Sequence, residues 1–207
     1  MLKEDLDIVN VFRKNLFLAD SIRGIMIKMK NKSYGRVFTA AQELLKQGVL
    51  NSQKLGMSTV CSINLNDSKA LAYLSFLDFM EFNSKITGEL AEKIKSLAET
   101  IPLRYFSFII GEGYPERKTS KKRVLDVLVI VENEIDSTKI LNLLENNCKL
   151  MKFEVKVHVF KVSEFLNMLL SKEENYAKNI LKKKLVFYGS QNYYAILREA
   201  IEHGFRA

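Results

Sequence analysis

Tryptophan is absent from the 207 residues, and histidine, cysteine and proline appear twice each. Cys61 and Cys148 lie far apart and outside any C-x-x-C pattern. That argues against a disulfide framework and a cysteine zinc site, and both read as buried reduced thiols. His158 and His203 are too few for a histidine-rich metal centre. Long apolar runs are also missing: VLVIV at 127–131 falls far short of the about 20 residues a membrane-crossing helix needs. The opening MLKEDLDIVNVF carries early acids and no long apolar core, so it does not read as a signal peptide. The expectation is a cytoplasmic chain with no membrane partner.

Acidic residues are in short supply relative to basic ones. The net charge is +8 and the isoelectric point about 9.3, a balance that suits a polyanion partner. A lysine-rich composition gives the same balance with no ligand at all. Hydrophobic residues make up 47% and charged residues 27%, which places the chain among ordinary globular proteins able to bury one large core or two small ones.

The first third is built from helix signals followed by strand signals. Ile8, Val9, Phe12 and Leu16 have helical spacing. Ser21 stands where an N-cap belongs before IRGIMIKM, with Gly24 a mild departure worth about 1 kcal/mol in helix propensity. MKNKS reads as a polar turn. YGRVFTAAQELLKQG then places Val37, Phe38, Ala41, Leu44 and Leu45 on one face, with Gly48 just past the helix end. VLNSQ, KLG and MSTVCSINL read as two short strands about a turn at Lys54–Gly56.

That order resembles the winged helix-turn-helix of archaeal-type and other prokaryotic regulators, over roughly residues 4–66. "LLKQGVL…G…INLN" carries most of the likeness, since it sets helix end, wing strand, wing turn and closing strand in sequence. The resemblance implies that double-stranded DNA meets the helix beginning near Ser33, N-terminal end first. Its DNA-facing residues would be Ser33, Tyr34, Arg36, Thr39 and Gln42 or Glu43. Lys30 and Lys32 would sit in the turn and Lys54 on the wing tip. Six cations (Lys28, Lys30, Lys32, Arg36, Lys46, Lys54) stand against Glu43 over residues 28–54, a local net of +5. Lysines supply phosphate contacts, while Arg36 could read guanine and Thr39 and Gln42 other base edges.

Residues 67–100 read as linker helices. Asp67 and Ser68 can cap KALAYLSFLDFMEF, a break falls near Asn83–Thr87, and Pro102 stops GELAEKIKSLAETI. The first of these helices is apolar on more than one face and reads as packing on both sides, joining the two domains or a second subunit, with a homodimer expected.

From residue 101 strands and helices alternate, predicting an α+β protein whose second domain has a short mixed sheet. The expected strands are 104–111, 123–132, 153–161 and 185–189. The expected helices are 136–151, 163–182 with a break, and 191–203, with Ser163 as an N-cap. Phe187–Tyr188 and Tyr193–Tyr194 read as core.

Residues 104–131, RYFSFIIGEGYPERKTSKKRVLDVLVIV, resemble the strand–Gly–basic loop–acid–strand hairpin of minimal nucleotidyltransferases of the DNA polymerase β superfamily. Gly111 stands at the family glycine and Asp126 at its second aspartate. The family's serine after glycine is Glu112 here, its serine before the acids is Arg123, and its first aspartate is Val124. Glu154 is the candidate third carboxylate on the next strand. Two-metal nucleotidyl transfer needs several carboxylates holding ions about 4 Å apart. Asp126 and Glu154 are therefore the candidate magnesium ligands only if the enzyme reading holds, and otherwise no cofactor is expected. Gly111, Gly113, Arg117, Lys118, Lys121 and Lys122 could bind phosphate of a nucleotide or nucleic acid through charge and exposed amides.

Two domains, 1–66 and 101–207, joined by helices 67–100, thus suggest a DNA-binding regulator with a degenerate nucleotidyltransferase-like domain serving dimerisation, ligand or partner binding. The alternatives are an active metal-dependent nucleotidyltransferase in which Asp126 is catalytic, and an antitoxin-like interaction module.

Overall fold

The computed structural model of the chain describes residues 3–56, 58–111, 124–149, 151 and 154–206. Among these the fold is α+β, with one two-stranded antiparallel sheet and one mixed four-stranded sheet. The chain divides into two compact units, the first running to Leu77 and the second covering Asp78–Phe205. The division falls inside one helix, α4 (Ser68–Lys85), rather than at its start.

The first unit contains α1 (Lys3–Lys14), α2 (Ile22–Lys28), α3 (Tyr34–Lys46), β1 (Leu50–Leu55) and β2 (Ser58–Ile63). Its core follows the helical periodicity. Ile8, Val9 and Phe12 of α1, Ile25 of α2, and Val37, Ala40, Ala41 and Leu44 of α3 are all buried. Each large one stabilises the unit by about 1.5–3 kcal/mol. Ser21 caps α2, accepting from the Gly24 amide at 3.1 Å. Gly24 has a packing reason as well: a Cβ there would lie 2.0 Å from the Asp20 carboxylate. That carboxylate is fixed by the Ser21 amide at 2.7 Å and by Lys28 at 2.6 Å.

β1 and β2 pair in register from Leu50↔Ile63 to Leu55↔Ser58. Asp20, just ahead of α2, adds an antiparallel bridge to Cys61, with hydrogen bonds of 3.0 and 2.8 Å. The inner end of the hairpin is anchored by buried Leu50, Cys61 and Ile63, whereas Asn51–Leu55, Ser58 and Thr59 stand in solvent. Phe38 departs from its expected inward place. It is 41% exposed, and Ala40 takes the position in the core instead.

α2 ends unusually. Lys30 adopts a left-handed φ of 53°, its amide donates to Ile27, and the Asn31 amide donates to Met26 at 3.2 Å. This is the double bond pattern that normally selects glycine. Lys30→Gly therefore raises the stability of the first unit by about 0.5–1 kcal/mol. The check is the denaturation midpoint, and an unchanged or lower midpoint would refute the strained cap.

The second unit contains the last turns of α4, then α5 (Glu89–Glu99), β3 (Phe106–Ile110), β4 (Leu125–Val131), α6 (Ser137–Cys148), β5 (Val155–Lys161), α7 (Val162–Leu170), α8 (Tyr176–Lys182), β6 (Leu185–Tyr188) and α9 (Ser190–Glu202). The sheet order is β5-β4-β3-β6. β3 is antiparallel to both β4 and β6, and β4 is parallel to β5. One face, carrying Phe106, Phe108, Ile110, Val127 and Val129, packs on Phe82, Ile86, Ile94, Leu97, Ile140 and Leu144. The opposite face carries Ile109, Asp126, Leu128, His158 and Phe160 beneath α7–α9. Because β4 is covered on both sides, it reads as an almost continuous apolar run.

Two details differ from the sequence expectation: Tyr188, read as core, is 45% exposed, and the cap of α7 lies ahead of Ser163. The N-cap of α7 is Lys161, two residues before Ser163, because the Glu164 carboxylate accepts from the Lys161 amide at 2.8 Å. The end of β6 is fixed by Gly189 at φ +70°, where a Cβ would come within 2.0 Å of the Phe106 carbonyl oxygen. The Ser107 hydroxyl donates to the Gly189 carbonyl at 2.9 Å. Beside it, buried Asp78 accepts from Ser190 at 3.0 Å and from Tyr194 at 3.3 Å. Both Tyr193 and Tyr194 are fully buried, as expected of core residues. No helix among the described residues is long and apolar enough to cross a membrane.

Candidate functional site

In the first unit, Lys30, Lys32, Ser33, Tyr34, Arg36, Thr39, Gln42 and Lys54, the positions read from sequence as DNA-facing, are all exposed. On α3 the 3.6-residue repeat sorts the exposed side chains into three rows. Gly35, Thr39, Gln42 and Lys46 run along the middle, opposite the buried Val37–Leu44 stripe. Tyr34 and Phe38 flank them on one side, and Arg36 and Glu43 on the other. The middle row is small at its N-terminal end, so a ligand can approach the helix backbone there.

Two features make this end of α3 receptive to anions. Ser33 occupies the N-cap but makes no side-chain cap bond, so the first amides of the helix keep their capacity to donate to a phosphate. Lys30 and Lys32 lie in the turn immediately ahead, with Lys30 held in its left-handed conformation. Lys28 contributes less than its charge suggests, because Asp20 pairs with it at 2.6 Å. Lys54 rides near the tip of the solvent-exposed hairpin.

In the second unit, Asp126 lies at the start of β4, and its carboxylate accepts a hydrogen bond from the Tyr176 hydroxyl of α8 at 3.0 Å. His158 on β5 brings Nε2 to 3.5 Å from the same oxygen. Its ring lies 4.3 Å from that of Tyr176 and stacks with Phe160 at 6.2 Å. Gly111 closes the other side. Its amide donates to the Asp126 carbonyl at 2.9 Å, and a Cβ on it would sit 2.8 Å from Asp126 Oδ2. The glycine of the hairpin is thus explained by the close approach of the carboxylate. The proposed phosphate-binding residues Gly113, Arg117, Lys118, Lys121 and Lys122, together with Glu112 and Arg123, lie outside the described residues.

Among the described residues, the donor set around Asp126 does not fit a two-magnesium centre, which wants several oxygen ligands. Its register partner on β5 is Lys156, and the hydroxyl and imidazole of Tyr176 and His158 occupy its vicinity. Glu154 sits ahead of β5 with an exposed side chain, and its carbonyl accepts from the Leu125 amide at 2.9 Å. Among the described residues no group of three or more His, Cys, Asp or Glu is placed to hold a metal ion. Sequence reading missed Tyr176, 50 residues from Asp126, since no spacing signals such a pair. His158 is a polar residue in a valine-rich strand, and no spacing ties it to Asp126.

Burial lowers the His158 pKa below its ordinary 6.5, Asp126 raises it in part, and Lys156 lowers it further. Burial first, then the Asp126 charge and hydrogen bond, push the Tyr176 hydroxyl well up, so it remains a proton donor to the carboxylate. Because folded His158 is the weaker base, the unfolded chain takes up the proton first. Its contribution to stability is therefore complete above about 6.5 and declines as pH falls below that value. His158→Gln flattens this part of the profile. The check is the urea midpoint at pH 7.5 and 5.5 for both proteins, and an equal drop in the two would refute it.

Comparisons of the chain with protein-family models, with curated proteins and with solved structures return no match.

Proposed function

We propose that the protein binds double-stranded DNA through its first unit, used as a winged helix-turn-helix, and works as a transcription-regulator-like protein. One observation carries this reading: every side chain that such a motif would turn toward DNA is exposed on α3, its leading turn and the hairpin. The element order supports it, with three helices followed by an antiparallel hairpin that also takes a bridge from the segment before α2. The uncapped α3 N-terminus and the small middle row give phosphates and base edges room to approach.

On this reading the second unit has a nucleotidyltransferase-like design whose acid site has become a Tyr–Asp–His cluster. Its role is dimerisation, or binding a ligand or partner. A homodimer is favoured by α4, where Phe79 and Met80 of the second unit stand exposed side by side.

The test is fluorescence anisotropy of the intact protein with a labelled duplex at stepped salt. Three phosphate contacts, from Lys30, Lys32 and Lys54, give a log–log slope of about −3 per protomer, and about −4 if Arg36 also sits on a phosphate. Absence of binding at low salt would sink the proposal.

A further inference from the structure

Phe38 and Tyr34 stand one turn apart on α3, with ring centroids at 5.9 Å. They are 41% and 48% exposed, in a helix that buries every other large apolar side chain wholly or in part. They flank a row that begins with Gly35, where an added Cβ would meet nothing within 4 Å. The packing of the chain therefore does not demand glycine at that point. Exposed cations stand in the turn ahead of the helix (Lys30 and Lys32), on its far flank (Arg36) and along its middle row (Lys46). A ligand suited to this surface is a polyanion that also offers hydrocarbon.

DNA meets that description in one way. The hydrocarbon group on its major-groove floor is the C5 methyl of thymine, which apolar side chains contact. RNA carries uracil without the methyl, and its major groove is too deep and narrow for side chains to read. We propose that Phe38, braced by Tyr34, is a thymine-methyl contact that sets base preference beside the polar contacts of Arg36, Thr39 and Gln42. This rests on the reading of the first unit as a duplex binder.

The experiment compares an alternating dA·dT duplex with the same duplex carrying deoxyuridine for every thymine, using the intact protein at fixed salt. Each methyl covered is worth about fourfold in affinity, so the wild type binds the thymine duplex about 4–16-fold more tightly for one or two methyls. Phe38→Gln, at an exposed position with its thermal midpoint checked, binds both duplexes alike, at the wild-type level for deoxyuridine. Equal wild-type binding to both duplexes overturns the methyl contact while leaving DNA binding in place. A Phe38→Gln loss that is the same on both duplexes also overturns it and assigns the ring to a methyl-independent contact with the duplex. Failure to bind either duplex at low salt removes the underlying reading as well.

Discussion

The intact protein carrying Lys32→Ala and Arg36→Ala together binds a duplex at least about 30-fold more weakly than the wild type near 0.15 M salt. One bidentate arginine–guanine pair is worth about 1–3 kcal/mol, and a lysine on phosphate adds about 1 kcal/mol at this salt. A total of about 2–4 kcal/mol corresponds to about 30-fold at its lower end. Both side chains are exposed, so the thermal midpoint stays nearly constant, within the about 0.5 kcal/mol expected of surface changes. The salt slope separates the two roles open to Arg36. It falls by about 1 if only Lys32 sits on a phosphate, and by about 2 if both residues do. Affinity within twofold of the wild type would remove α3 from the interface.

Gly189→Ala is the most damaging small substitution expected in the second unit. The backbone φ of +70° is left-handed, and the Cβ would fall 2.0 Å from the Phe106 carbonyl oxygen. Backbone strain costs about 1–2 kcal/mol, and forced displacement of a packed neighbour about 1–3 kcal/mol more. The neighbour here is main chain in the central hairpin of the sheet, so it has little freedom to retreat. The shift also disturbs the Ser107 hydroxyl bond to Gly189 and the start of α9. A loss of about 3–4 kcal/mol follows, readable as a fall in the urea midpoint of the second unit. Near wild-type stability would mean that β6 and β3 are less closely apposed than the geometry requires.

The elements themselves were legible because periodicity and caps act locally. Ser21, Gly48 and the Asp67 turn placed the helices of the first unit. The break near Asn83–Thr87 appears as the gap between α4 and α5. The split of the long 163–182 segment also appears, as α7 and α8. Phe38 was misplaced because spacing alone cannot tell the edge of a buried stripe from its centre: Ala40 is buried and the larger ring is turned out. Ser163 was chosen as a cap by residue type, while the decisive bond came from Glu164 reaching back to Lys161. At the second site, Asp126 and Gly111 could be picked out in one hairpin. Their partners could not, because Tyr176 and His158 arrive from α8 and from a parallel strand. Asp78 was hidden for the same reason, as an acid in an apolar helix whose hydroxyl partners lie 112 and 116 residues away.

The two cysteines divide between the two units, and they differ in reach. Cys61 is wholly enclosed beside the Asp20 bridge, whereas Cys148 at the end of α6 is only partly covered. Burial raises both thiols above their ordinary pKa, with Glu145 adding to the effect at Cys148, so neither is a ready nucleophile. Alkylation at mildly alkaline pH begins at Cys148. Cys61 stays silent until the first unit opens, which makes its labelling rate a natural clock for the opening of the helix-and-hairpin unit, with no engineered probe.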